Sequence, residues 1–388
     1  MKKKRITVIT SSRADYDQLY WLLKKISKNK KYLLKLVVSG SHFLKKYGYS
    51  VNQIKKDRFN YEKIYLKINS DQSKDILNTV SDSIKKFSKK LQKFKTDYLV
   101  ILGDRYEILA AAISASFLKI PIIHLNGGEL TFGAHDDWIR HCITKMSNIH
   151  FVSNKIYKKR VIQLGENPKY VFNTGGLSSD NALNTKLFSK KKIEKLLNIK
   201  FKEKNILITY HPETFSKTGS EKSFLEIIYA IKFFKKVNFF ITLPNVDEDN
   251  QKIIRLIKKH CSAHKNCKFF LSLGRKKYLS LMQKCNLVLG NSSSGLLEAP
   301  YLNVYTINIG NRQEGRIRAK TVIDCRTDHI EIKKLINQIF LKHEKNKINN
   351  KRINLKDYYG KGDSAKNMLN VLDNLNFKFD RKKYFYDL

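Results

Sequence analysis

Residues 98–129 read YLVILGDRYEILAAAISASFLKIPIIHLNGGE, and this stretch decides the fold class. It holds a short apolar strand at Tyr98–Gly103, a helical segment at Glu107–Leu118 and a second apolar strand at Ile120–Leu125. Continuous apolar strands that alternate with helices are typical of a parallel sheet with both faces covered. The stretch therefore predicts an α/β protein.

The same alternation extends along the chain in both directions. The chain has 388 residues, enough for two domains of ~100–200 residues each, and two series of strands predict two Rossmann-like domains. Further strands in the first half are expected at Arg5–Thr10, Leu33–Gly40, Tyr61–Ile68, His150–Ser153 and Val171–Thr174. In the second half they are expected at Asn205–Tyr210, Val237–Leu243, Lys268–Leu273, Leu287–Gly290, Val304–Ile309 and Thr321–Cys325.

A polar stretch at Leu177–Lys192 predicts the domain boundary. We expect an N-terminal domain at 1–178, a C-terminal domain at 179–365, and the end of a C-terminal helix with a tail at 366–388. The pattern of Ser364–Leu375 predicts that this last helix returns to the first domain.

Composition narrows the class of protein. The formal charge is +42, but only 14 of the 76 basic residues are arginine and the lysines are spread along the chain. This favours solvated lysine-rich faces over a nucleic-acid surface. No apolar run approaches the ~18–20 residues of a membrane span, and no signal peptide is recognisable, so we expect a cytoplasmic protein. Five cysteines without a CxxC pair indicate neither a disulfide framework nor a zinc site.

Polar residues follow the predicted strands, where ligands of parallel sheets bind. Ser11-Ser12-Arg13 suits a phosphate, or equally a capped helix with a solvent-exposed arginine. Asp104 is a helix cap or a catalytic carboxylate, and its position alone slightly favours the cap. Residues 124–141 form the densest group of titratable side chains. Asp136 and Arg140 share a helix face there, as a surface ion pair or, as we favour, part of a site.

The second half carries a matching set of strand-end residues. His211 follows one strand and can act as acid, base or phosphate ligand. Residues 290–295 read GNSSSG and suit an anion, while Glu298 suits a ribose diol. The glycine-punctuated loop with Arg312 and Arg316 suits a diphosphate. Because GxGxxG and GxxxxGK[ST] are both absent from the sequence, dinucleotide-binding and P-loop readings lose their main support.

Taken in order, these motifs resemble one family. They are SSRADY, SGSH, GDRYE, HLNGGE, DDWIRH, HPET, GNSSSG, EAP and NIGNRQEGR, running from residue 11 to residue 316. The chain resembles the hydrolysing UDP-N-acetylglucosamine 2-epimerases of bacterial sialic-acid-type sugar synthesis. The resemblance implies a glycosyltransferase-B-like fold, with two Rossmann-like domains facing a central cleft. It also implies a homodimer or homotetramer.

The resemblance implies site residues as well. Asp104 and Asp136 match family carboxylates that do acid/base work, His211 matches the family's cleft histidine, and Glu129 is a further catalytic candidate. Some members have a proposed catalytic glutamate where this chain has Asn126, and an amide cannot transfer a proton as a carboxylate does. The residues expected to bind substrate are Arg13, His42, Asn126, Arg140, Asn245, Ser292, Ser293, Ser294, Gly295, Glu298, Arg312 and Arg316.

The reaction implied by the resemblance converts UDP-N-acetylglucosamine and water into N-acetylmannosamine and UDP. A base removes the hydrogen on the second carbon while UDP leaves the first, and water then adds to a glycal-like intermediate. We expect neither a metal nor a cofactor, and a UDP-sugar and water as the only partners besides further copies of the chain. The acid/base residues belong to the first domain and the UDP-binding residues to the second.

Three alternatives stay open. The same reaction on UDP-2,4-diacetamido-2,4,6-trideoxyglucose would serve legionaminic acid synthesis. A glycosyltransferase of the same architecture would move the sugar to an acceptor. A nucleic-acid-binding protein would explain the charge but not the acidic residues at the strand ends. The sequence does not decide between the two UDP-sugars, or which carboxylate is the base.

Overall fold

The computed structural model describes residues 3–70, 72–132, 135–213, 219–244, 250–345, 356–375 and 382–388. The chain divides into two compact units. Unit 1 comprises Met1–Glu129, His135–Asn181 and Tyr359–Leu388, and unit 2 comprises Leu130–Ala134 and Ala182–Tyr358. The domain boundaries predicted from the sequence, at 1–178, 179–365 and 366–388, stay a prediction. No helix in the described ranges is long and apolar enough to cross a membrane.

Unit 1 is built on a seven-stranded sheet in the order β3-β2-β1-β4-β5-β6-β7, and all neighbouring strands are parallel. The strands are β1 (Lys4–Thr10), β2 (Tyr32–Val38), β3 (Tyr61–Lys63), β4 (Tyr98–Leu102), β5 (Ile122–Leu125), β6 (Ile149–Val152) and β7 (Val171–Asn173). The helices are α1 (Arg13–Lys28), α2 (Val51–Lys56), α3 (Ser73–Lys93), α4 (Tyr106–Phe117), α5 (Asp136–Met146) and α6 (Lys155–Gln163). Helix α7 (Leu177–Asn184) contains the sequence junction of the two units.

Unit 2 repeats the plan with six parallel strands in the order β10-β9-β8-β11-β12-β13. The strands are β8 (Asn205–Thr209), β9 (Asn238–Thr242), β10 (Cys267–Phe270), β11 (Leu287–Gly290), β12 (Tyr305–Ile309) and β13 (Val322–Cys325). The helices are α8 (Lys190–Leu197), α9 (Ser220–Lys232), α10 (Asn250–Ala263), α11 (Gly274–Lys284), α12 (Ser293–Leu297) and α13 (His329–Lys345). Helices α14 (Lys356–Tyr359) and α15 (Ser364–Leu375) follow.

The central strands owe their position to their composition. Every residue of β4 is buried, because its side chains face helices on both sides of the sheet. In unit 2, β8 and β9 are buried over their whole length in the same way. Each strand predicted from the sequence overlaps a strand of the structure. The predicted class of two Rossmann-like α/β domains is therefore confirmed.

The end of the chain belongs to unit 1. Ala365, Met368 and Leu372 of α15 lie in the same hydrophobic core as Leu19 and Leu23 of α1. Buried apolar faces of this kind hold helices in place more strongly than helix propensity does.

The segment 382–388 also lies on unit 1. Lys383 donates hydrogen bonds to the Ser147 carbonyl, at the end of α5, and to the carboxylate of Glu166. Phe385 lies against Gly165, where a Cβ atom would come within 2.4 Å of its ring. The tail therefore caps the last turn of α5, whose carbonyl groups have no partner within the helix.

Candidate active site

In the loop between β1 and α1, the Asp15 carboxylate binds backbone N–H groups of the loop itself. Ser12 caps α1, and Asp15 accepts hydrogen bonds from the backbone N–H of Ser11 at 3.0 Å and of Ser12 at 3.1 Å. Burial raises the pKa of Asp15, although hydrogen bonds from Thr10 and Ser11 act against that shift. The carboxylate thus takes two N–H groups that a phosphate could use, and the Arg13 side chain remains the predicted phosphate ligand of this loop.

His42 lies beneath this loop and is completely buried. Its Nε2 lies 3.0 Å from the Thr10 hydroxyl and its Nδ1 lies 2.8 Å from the Ser50 hydroxyl. Burial lowers the pKa of His42 to about 3, so the ring is neutral at physiological pH. Both ring nitrogens are engaged within the protein, which makes His42 part of the framework that supports the predicted phosphate loop.

Asp104 pairs with Arg140 at the carboxyl end of β4. The Arg140 guanidinium has no exposed surface, and it donates hydrogen bonds to the Asp104 carboxylate and, at 2.7 Å, to the backbone carbonyl of Glu129. Burial acts against the charge of Arg140, but Asp104, Glu129 and Asp136 hold its pKa above the ordinary value.

One positional preference for these residues is wrong. Helix α4 begins at Tyr106 with Arg105 as its N-cap residue, so Asp104 is not the cap that its position slightly favoured. Of the two interpretations of Asp136 and Arg140, the surface ion pair does not fit, because Arg140 is buried against Asp104 and lies 3.7 Å from Asp137. Asp136 is the first residue of α5 and lies half-buried beside this group.

His124 supports the Asp104–Arg140 pair through hydrogen bonds to neighbouring residues. It was not selected as a site residue from the sequence. Its Nε2 lies 2.9 Å from the Gly103 carbonyl and its Nδ1 lies 3.2 Å from the Thr144 hydroxyl, which in turn donates to the Arg140 carbonyl. Burial lowers the pKa of His124 to about 3, so it remains neutral. The histidine thus joins the end of β4 to helix α5. Its presence in the HLNGGE motif was the available signal.

Asn126 and Glu129 form the turn after β5. Asn126 has a φ of +64°, in the left-handed region that asparagine tolerates better than glutamate. Its Nδ2 donates to Gln18 at 3.2 Å, while its buried Oδ1 has no hydrogen-bond partner among the described residues. Glu129 is buried and accepts a hydrogen bond from the Ser153 hydroxyl at 3.4 Å. The structure therefore brings Asp104, Asn126, Glu129 and Arg140 to neighbouring strand ends of unit 1.

The strand ends of unit 2 meet in the same way. The buried side chain of Asn291 accepts from the His211 backbone N–H at 2.7 Å and donates to the His211 carbonyl at 2.9 Å. This link is possible because β8 and β11 are neighbours, with Thr209 opposite Gly290. Asn291 thereby fixes His211 next to the serine motif.

Ser292 and Ser294 are hydrogen-bonded to each other, and Ser294 is also hydrogen-bonded to a tyrosine. The Ser292 hydroxyl caps α12 and lies 3.1 Å from the Ser294 hydroxyl, which lies 2.6 Å from the Tyr278 hydroxyl. Ser293 and Gly295 begin α12, and Glu298 follows it as the C-cap residue.

The arginine loop is anchored to the same Asn291. Gln313 donates to the Asn291 carbonyl at 2.9 Å and Arg312 reaches that carbonyl at 3.4 Å. Arg316 donates to the Gln313 side chain at 3.0 Å, whereas Arg318 pairs with Asp324 at 2.6 Å. The structure thus joins His211, Arg312 and Arg316 through residues that sequence reasoning missed. Asn245 lies outside the described residues.

One group of side chains within the described ranges could hold a metal ion, and it consists of Glu226, Asp328 and His329. It lies at α9 and at the start of α13, apart from the predicted site residues in sequence. The Glu226 carboxylate already accepts hydrogen bonds from the His329 ring at 2.7 Å and from its backbone N–H at 2.9 Å. These contacts are those of a helix start held by hydrogen bonds to a carboxylate.

Comparison with known proteins gives consistent matches. Residues 24–373 match the family described as UDP-N-acetylglucosamine 2-epimerase. The chain is 40% identical over 337 residues to the polysialic acid biosynthesis protein P7 of Escherichia coli, covering 86% of this chain and 85% of that protein. It is 38% identical over 333 residues to the hydrolysing GDP/UDP-N,N'-diacetylbacillosamine 2-epimerase of Campylobacter jejuni, covering 85% and 86%.

Solved structures match over almost the whole chain. The UDP-N-acetylglucosamine 2-epimerase of Neisseria meningitidis, bound to UDP-N-acetylglucosamine, has a TM-score of 0.79 at 20% identity and covers 96% of this chain and 100% of its own. The Staphylococcus aureus MnaA–UDP structure also has a TM-score of 0.79, at 17% identity, covering 99% and 100%. At such identities the likeness speaks for the fold, and it confirms the predicted glycosyltransferase-B-like class.

Proposed function

Because this chain belongs to the UDP-N-acetylglucosamine 2-epimerase family, we propose that it converts UDP-N-acetylglucosamine and water into N-acetylmannosamine and UDP. The observation that carries the proposal is the Asp104–Arg140 pair, which holds a carboxylate at the end of β4 beside Glu129 and helix α5. The reaction needs a positioned base, since the hydrogen on the second carbon of the sugar is poorly acidic.

Asp104 is the proposed base. Arg140 holds the Asp104 carboxylate at the end of β4, so Asp104 is positioned to accept the proton as UDP leaves the first carbon. Asp136 and Glu129 are the proposed acids that deliver a proton to the opposite face, with His211 as a third candidate. Two carboxyl groups in different surroundings can hold different protonation states at one pH. Asn126 would orient the sugar through its amide.

The departing diphosphate is proposed to be held by Arg13, Arg312 and Arg316. Arginine forks bind phosphate oxygens in pairs and stabilise charge that develops as the bond to UDP breaks. Hydroxyl groups of Ser292, Ser293 and Ser294 and the backbone at Gly295 would add hydrogen bonds, and Glu298 would bind the ribose. His42 would act indirectly by supporting the loop that carries Arg13. A homodimer or homotetramer is proposed from the family resemblance.

UDP-N,N'-diacetylbacillosamine, which is UDP-2,4-diacetamido-2,4,6-trideoxyglucose, is the second candidate substrate. It is favoured by the names of two relatives, from Campylobacter jejuni at 38% identity and from Legionella pneumophila at 30% identity. The same groups would carry out the same chemistry, because both sugars have an acetamido group on the second carbon.

The test is product analysis by proton NMR in heavy water containing EDTA, with each UDP-sugar supplied separately. We expect UDP and a free sugar of inverted configuration at the second carbon, deuterated at that carbon. The sugar that turns over faster identifies the substrate. UDP release with retained configuration would support the glycosyltransferase alternative. No UDP release from either sugar would refute the proposed function.

A further inference from the structure

Glu213 lies at the end of β8, two residues after His211, and its side chain occupies the space beside Gly310. A Cβ atom at Gly310 would lie 2.4 Å from the Glu213 Oε1 atom. Gly310 also has a φ of +72°, which favours glycine. The carboxylate and this turn are therefore fitted to each other, and neither was among the site residues expected from the sequence.

The carboxylate of Glu213 holds three hydrogen-bond donors. Asn291 donates its Nδ2 to Oε1 at 3.3 Å, and the backbone N–H groups of Asn311 and Arg312 also donate to the carboxylate. Burial raises the pKa of Glu213, while these donors and the charge of Arg312 favour the ionised form. A carboxylate accepts N–H groups at both of its oxygens, whereas an amide accepts at one oxygen and presents an NH₂ donor in place of the other.

These contacts link Glu213 to the backbone of His211, a candidate acid, and to Arg312, a proposed nucleotide-holding residue. Through Asn291 it connects to the backbone of His211. The Asn291 side chain accepts from the His211 N–H at 2.7 Å and donates to the His211 carbonyl at 2.9 Å. Through the N–H groups of Asn311 and Arg312 it fixes the turn that presents the Arg312 side chain. One buried acidic side chain thus determines where a histidine and an arginine from different loops lie.

We infer that Glu213 is a positioning residue for nucleotide binding, which sets the Gly310–Arg312 turn so that Arg312 meets the diphosphate of UDP. The inference rests on the proposed function, because it assumes that UDP binds to this loop. Glu213 needs no contact with the ligand, and it acts through Arg312. A carboxylate beside a diphosphate site would otherwise repel the ligand, so its occurrence there requires a compensating role.

The test is the affinity of the full chain for UDP, measured by isothermal titration calorimetry. Glu213→Gln keeps the size of the side chain but presents an NH₂ group to the turn, so we expect roughly 10- to 100-fold weaker UDP binding, the equivalent of losing one hydrogen bond to a charged group. Glu221→Gln is the matched control. It makes the same change at an exposed position in the first turn of α9, and we expect UDP affinity within about twofold.

A double-mutant cycle separates positioning from a general loss of stability. If Glu213 acts through Arg312, the double variant Glu213→Gln/Arg312→Ala binds UDP about as weakly as Arg312→Ala alone. Independent, additive losses would overturn the inference, and so would unchanged UDP affinity in Glu213→Gln. If Glu213→Gln does not fold, Gly310→Ala displaces the carboxylate from the other side and is expected to weaken UDP binding at least tenfold. A wild-type chain that does not bind UDP would overturn the proposed function together with this inference.

Discussion

Replacing Asp104 by asparagine removes the charge that faces the buried Arg140 guanidinium. Removing one partner of a buried ion pair costs ~3–5 kcal/mol of stability. The Asp104 side chain is 21% exposed, and Arg140 keeps the Glu129 carbonyl at 2.7 Å and Asp137 at 3.7 Å. We therefore expect an effect below that range, about 2 kcal/mol lost from the free energy of unfolding. The same change removes the proposed base, so kcat should fall by roughly 10²–10⁴.

Asp137→Asn is the matched control for this prediction. Asp137 faces the same guanidinium, its side chain is 22% exposed, and the change removes the same charge. Because its pairing is longer and it is not a proposed acid or base, we expect a loss of stability under about 1 kcal/mol and a kcat within about threefold of wild type. UDP release measures kcat, and urea denaturation followed by circular dichroism measures the free energy of unfolding.

The comparison can fail in two ways. If Asp137→Asn loses as much activity as Asp104→Asn, the activity depends on charge balance around Arg140 and not on a base at position 104. If Asp104→Asn keeps its kcat while losing stability, Asp104 is an anchor for Arg140 and the base lies elsewhere.

Three further predictions concern stability. The pKa of His124 is about 3 in the fold and about 6.5 in an unfolded chain, so the unfolded chain takes up the proton first as pH falls. The stability that this buried ring contributes is complete above about pH 6.5. It is lost as pH falls towards 3, by ~1.4 kcal/mol per pH unit. Urea titrations between pH 4.5 and 7.5 should show a shallower loss in His124→Gln. Gly128→Ala places a Cβ atom 2.5 Å from the Tyr157 carbonyl oxygen at a φ of +76°, whereas the Cβ atom of Gly103→Ala, at a φ of +82°, meets open space. We expect the free energy of unfolding, measured by urea denaturation, to fall by ~3 kcal/mol or more for Gly128→Ala and by ~1–2 kcal/mol for Gly103→Ala. Lys383→Met removes the ammonium group that donates to the last turn of α5 and to Glu166, so we expect it to lower the free energy of unfolding by ~1–2 kcal/mol. For the control Lys382→Met we expect a loss under ~0.5 kcal/mol. Equal losses in the two variants would contradict the capping role of the tail.

The fold was predictable because its signals are local. A strand such as β4 is apolar over consecutive residues, and its helix follows within a few positions, so the alternation is visible in any short window. The rule that ligands bind at strand ends then selected the loops that carry Asp104, Glu129, His211 and Arg312.

The detail of the site was less predictable, because its partners are distant in sequence. Asp104 and Arg140 are 36 residues apart, so position alone gave Asp104 a wrong slight preference for a helix cap. Asn291 and Glu213 are 78 residues apart, and Asn291 is an ordinary polar residue until β8 and β11 pair. Asp15 shows the same limit within a motif, since only the backbone geometry reveals that its carboxylate takes two N–H groups that a phosphate could have used.

The return of α15 to unit 1 has a consequence for synthesis on the ribosome. Its apolar face covers α1, yet residues 182–358 must be translated between the two helices. At ~5–20 residues per second, the nascent unit 1 exposes that part of its core for roughly ten seconds or more, while most of unit 2 emerges as one continuous segment that can fold first. The half of the protein made earlier is therefore completed later, and its uncovered apolar face is the surface that we expect chaperones to protect during translation.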